Sequence, residues 1–161
     1  MYEKLTILIT ITILAIASYT DLKYRRVPNW LTFPGMITGI LLCGIFERGD
    51  LVSRLIWLAI FFFIGMLAIM GMGDLKLMMA VIALRGIMTA SITLLAGAML
   101  LLVYCIVTEG PKKVLDGFKL AMKCMLLGNY KNKFEGKEYP FAVFISMGYV
   151  CTIMIRMWCG W

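Results

Sequence analysis

Apolar residues run along this chain in long blocks separated by short charged stretches, and that pattern predicts helices that cross a bilayer. A spanning helix takes about 20 residues. The blocks at 5–20, 31–46, 51–70, 75–84, 87–107 and 141–157 predict six spans. Val27 before Pro28 is biased away from helix, so the first two spans separate there, with Trp30 as an interfacial anchor. Gly35-x-x-x-Gly39 in the second permits close approach of another helix. Glu47-Arg48-Gly49-Asp50 reads as a polar turn. The fourth block is short and is interrupted by Arg85-Gly86, so blocks four and five are either separate spans or one broken element.

Thr108 to Tyr139 is the one long polar connection and carries seven lysines. Within it Val114, Leu115, Phe118, Ala121, Met122, Met125 and Leu126 recur at helical spacing, opposite Lys112, Lys113, Asp116, Lys119 and Lys123. This predicts an interfacial amphipathic helix that covers anionic membrane lipid or docks a substrate.

Composition agrees: 62% hydrophobic residues and a mean hydropathy of +0.91 exclude an ordinary soluble domain. The expected fold is all-α, a polytopic membrane protein with six transmembrane helices and a cytoplasmic amphipathic helix, forming one domain over 1–161. No Ala-x-Ala-like site follows the first block, so it reads as a retained helix. With the loops placed alternately, one side collects 11 of the 16 Lys and Arg residues, which makes that side cytoplasmic and puts both termini outside. The excess of positive charge is assigned to this bias and to membrane lipid, and no nucleic-acid partner is expected.

Histidine is absent, which removes Ser-His, Cys-His and His-zinc chemistry from this chain. The five cysteines, without a C-x-x-C pair, read as small buried hydrophobes, and the scattered methionines as packing residues. Carboxylates carry the remaining chemistry. Asp74 lies in Gly71-Met72-Gly73-Asp74-Leu75-Lys76, just past an apolar block; an Asp at bilayer depth costs about 2.5–3.5 kcal/mol and usually marks a functional site. The glycines allow a sharp bend and close approach to the main chain. Asp21 ends the first span, and Lys23, Arg25, Arg26, Pro28 and Asn29 follow it.

Each acid alone reads equally as a helix-end or loop residue. Together they face the same cytoplasmic boundary, where two convergent carboxylates share a proton. The deprotonated one takes a proton from an attacking water, and the other donates to the carbonyl oxygen and then to the leaving amine. Lys23, Arg25 and Lys76 either tune that pair, hold a peptide, or simply mark the boundary. A small proton-coupled transporter using both acids as relays is the alternative, and a structural subunit is a third reading.

Asp21-x-Lys23-x-x-Arg26-Val27-Pro28-Asn29 together with Gly71-x-Gly73-Asp74-x-Lys76 resembles the paired signature of the type IV prepilin peptidases, membrane aspartic proteases of bacteria. The resemblance implies that Asp21 and Asp74 are the catalytic pair and that no cofactor is needed. Gly71 and Gly73 would shape the site, Pro28 and Asn29 would fix the first loop, and Lys23, Arg26 and Lys76 would bind substrate or shape the site. It also implies a prepilin or pseudopilin partner, with a basic leader in the cytoplasm and a hydrophobic helix in the cell membrane. Cleavage would fall at their junction, typically after a glycine. Larger members carry two C-x-x-C pairs linked to N-methylation; this chain has none, and its short form is similar to the peptidases of tight-adherence (Flp) pilus systems.

Overall fold

The computed structural model describes residues 2–66, 72–112, 114–115 and 140–159, and each element among them is an α-helix. They are α1 (Tyr2–Tyr24), α2 (Asn29–Phe46), α3 (Arg48–Met66), α4 (Met72–Glu109) and α5 (Phe141–Cys159). Among the described residues, four stretches are long and apolar enough to cross a membrane: Tyr2–Tyr24, Asn29–Phe46, Gly73–Glu109 and Phe141–Trp158. α3, which carries Arg48, Asp50 and Arg54 in its first two turns, is not one of them. Most of the amphipathic stretch, from Asp116 onward, lies outside the described residues.

The connections are tighter than the sequence pattern predicts. The first helix runs past Thr20 and holds Asp21 in its last turn, so Asp21 is a helical residue and not a loop acid. It stops because Arg25 turns left-handed, at φ 50°, and donates its N–H to the Asp21 carbonyl at 2.8 Å. Pro28 then takes an extended conformation and caps α2, whose Leu31 N–H reaches the Pro28 carbonyl at 3.2 Å. The polar turn expected over Glu47–Asp50 shrinks to Glu47 alone, because α3 begins at Arg48.

α4 is two helices in sequence. Gly86, at φ 81° and ψ 171°, breaks it in a conformation that disfavours any side chain. Before the break, Asn29 meets Lys76, Gly35 faces Ala80 and Gly39 faces the Ala83 backbone, so this half runs alongside α2 in the same direction. After it, Thr93 meets Thr152, Gly97 meets Gly148 and Tyr104 meets Phe144, so the second half runs antiparallel to α5. Tyr2, Glu47, Arg54, Arg85 and Arg156 share one end of the bundle, while Asp21, Asn29, Asp74 and Pro140 share the other. The chain therefore reverses at Gly86, and the helical segments alternate in direction.

The shortness of the 75–84 block now has a cause. Leu77, Met78, Ala80, Val81, Ile82, Ala83 and Leu84 are all at most 1% exposed, so this half is buried around most of its circumference. α1 contributes Ile13, Leu14 and Ala17 to the surrounding shell, α2 Leu31 and Met36, and α5 Ala142, Ile145 and Tyr149. Its freed C-terminal carbonyls are met by Arg54, only 6% exposed, which donates from Nη1 to Ala83 and Leu84 at 3.0 and 3.2 Å and pairs with Glu47. The first half of α4 thus carries Asp74 in its first turn and ends in a guanidinium clamp.

Candidate active site

A cavity of about 930 Å³ opens where α1 ends and where α2, α4 and α5 begin. Asp21 and Asp74, far apart in the sequence, both line it. Asp74 is close enough to feel the charge of Asp21, and Arg25 acts on Asp21. Asp74 stands in the first turn of α4 and is half-buried, whereas Asp21 is 9% exposed. The Asp21 carboxylate is held from outside its own helix: Oδ2 accepts the Ala142 N–H at 3.1 Å.

That donor comes from a helix end. The first amides of an α-helix lack intrahelical acceptors, and Pro140 just before α5 leaves the Ala142 N–H free to reach across to α1. The sequence offered one signal for it, a proline at the start of the last apolar block, but a backbone donor has no side chain to read. Thr20, Tyr24, Trp30 and Phe141 also line the cavity and were not singled out as site residues.

The motif residues divide in the structure. Arg26, Pro28, Asn29, Gly73 and Lys76 line the cavity together with the two acids. Lys76 Nζ donates to Asn29 Oδ1 at 2.9 Å and lies 6.0 Å from the centre of the Phe33 ring, so it joins the start of α4 to the start of α2. Lys23 is not among the lining residues; its ammonium sits over the Tyr19 and Tyr24 rings at 5.9 and 5.2 Å. Gly73 is helical, and a Cβ there would meet Val27 at an ordinary 3.6 Å, so this position does not itself need a bent backbone. Gly71 lies outside the described residues.

Two carboxylates over one polar cavity, with apolar walls beneath, can position a water and exchange a proton with it. Arg25, Arg26 and Lys76 ring them with positive charge that can hold backbone carbonyls of an extended peptide. Residues 8–106, well over half of the chain, match the model of a family described as type IV leader peptidases. No curated protein and no solved structure matches the chain. The matched stretch takes in the whole Asp21–Asn29 segment and the Gly-x-Gly-Asp segment, the two that meet at the cavity, and the chain belongs to the type IV leader peptidase family.

Proposed function

We propose that the chain is a multi-pass aspartic endopeptidase that removes the leader of prepilin-like precursors at the cytoplasmic boundary of the cell membrane, in an Flp-type system. The observation that carries the reading is the meeting of Asp21 and Asp74 at one cavity at one end of the bundle. Six membrane crossings follow from counting α3 and the two halves of α4 as separate crossings. The excess of lysine and arginine in the loops on the side of the cavity supports an inner-face position for it.

One carboxylate of the pair is ionised and the other carries a proton. The ionised one takes a proton from water while the hydroxyl oxygen bonds to the scissile carbonyl carbon, and the protonated one hydrogen-bonds the carbonyl oxygen. The C–N bond then breaks, and the amine leaves with a proton from the pair. The Ala142 amide fixes one Asp21 oxygen and leaves the other for the reaction. A peptide bond inside a helix is shielded by its own hydrogen bonds, so a site at the membrane edge reaches the junction where the substrate helix starts and can be unwound.

The test is co-expression with a precursor made of a basic leader, a glycine and an apolar helix. The expected result is a shortened product whose N-terminus lies just after the glycine, formed equally with a metal chelator present. A precursor that stays full length, or is cut within its leader, contradicts the proposal.

A further inference from the structure

A second hollow, of about 510 Å³ and almost wholly apolar, runs down the outside of the bundle between α1, α5 and the second half of α4. Ile11, Ala15 and Ser18 of α1, Ser146 and Val150 of α5, and Leu100 of α4 line it. It begins one turn below the aspartate site, since Ser18 lies three residues before Asp21 on the same face of α1. Ala142 belongs to both places: its N–H donates to Asp21 Oδ2, and its carbonyl accepts from Ser18 Oγ at 3.3 Å.

We infer that this groove seats the first two turns of the substrate's hydrophobic helix, immediately after the scissile bond. The inference rests on the peptidase reading above, which requires an apolar helix to descend into the membrane from the aspartate pair. The groove descends from that point, and Ser18 to Ile11 spans about 10 Å at about 1.5 Å per residue. Lipid chains fit any apolar surface but need no polar partner. This groove holds one: Ser18 Oγ and Ser146 Oγ lie 3.0 Å apart near its upper end. Each hydroxyl has one proton and two lone pairs, so the pair keeps acceptor capacity for the N–H groups of an unwound first turn.

Two experiments test it on the full chain in membranes. Ala15→Trp fills the groove from an exposed position outside the aspartate cavity; it is expected to lower kcat/KM for the precursor about tenfold or more, mainly through KM. Leu41→Trp, on the exposed face of α2, is expected to leave it unchanged. The second experiment needs no substitution within the groove, because Cys151 already lines it. In an Asp74→Asn chain whose other cysteines are alanine, a cysteine placed one to two turns after the substrate glycine should cross-link to Cys151. It should not cross-link to a control chain carrying Cys151→Ala and Leu41→Cys.

Wild-type KM in Ala15→Trp, or cross-linking to position 41 in place of 151, overturns the groove. If Asp21→Asn and Asp74→Asn still abolish cleavage, the peptidase reading survives that failure. Normal cleavage in either Asn variant overturns the peptidase reading, and the groove with it.

Discussion

Asp21→Asn and Asp74→Asn are each expected to reduce precursor processing by at least about a thousandfold, because in the proposed mechanism each removes a group that must both accept and release a proton. The amide is close to isosteric with the carboxylate, so the cavity keeps its shape. At position 21 the amide oxygen still accepts the Ala142 N–H, which preserves the tie between α1 and α5. Folding should therefore survive while chemistry is lost, and elution of each variant in detergent as wild type checks this. Asp50→Asn is the control: Asp50 lines the small cavity at the opposite end of the bundle, among Glu47, Arg54 and Arg156, and its loss should leave processing within about twofold. A variant at 21 or 74 that processes normally would remove the pair from the mechanism.

Gly148→Ala is expected to give one of the larger losses of stability that a single added methyl can cause in this chain. A Cβ at 148 would lie 2.6 Å from both the Gly97 nitrogen and the Thr93 carbonyl oxygen, and those are backbone atoms that cannot swing aside. α4 and α5 would have to separate, which moves the helix whose first turn holds Asp21. Overpacking of this kind costs about 1–3 kcal/mol or more. Alanine's better helix propensity returns at most about 1 kcal/mol, so destabilisation wins. Gly44→Ala tests the argument by contrast, since its Cβ would meet only a Leu51 methyl at 3.6 Å. Thermal unfolding in detergent should show Gly148→Ala clearly lowered and Gly44→Ala unchanged or raised. Equal behaviour of the two would mean that close backbone contact is not what joins α4 to α5.

The acid pair was legible in the sequence because carboxylates beside long apolar blocks are costly, and because alternation of loops put both on one side. The close approach of Gly35 and Gly39 was legible from their spacing; Gly39 lies against the Ala83 backbone and Gly35 against Ile13 and Ala80. Other features depend on contacts that no local pattern encodes. The block at 75–84 looked merely short, and its near-complete burial is a property of the helices around it. Arg54 belongs to no motif in the sequence, yet it is buried and closes the carbonyls freed at Gly86. Lys23 shares a motif with Arg26 but does not line the cavity and packs on the Tyr19 and Tyr24 rings, since neighbours in a motif need not point the same way. The Gly97–Gly148 crossing lies between residues 51 positions apart, with no motif to announce it.

The meeting of the two acids at the inner face is tested most directly by replacing them with cysteines. The chain carries Asp21→Cys and Asp74→Cys, the native cysteines are replaced by alanine, and a short membrane-impermeant bis-thiol reagent is added to membrane vesicles of known sidedness. The account predicts an internal cross-link between positions 21 and 74 in inverted vesicles and none in right-side-out ones. Absence of the cross-link when both thiols are labelled singly, or its formation only from the outer face, would contradict it.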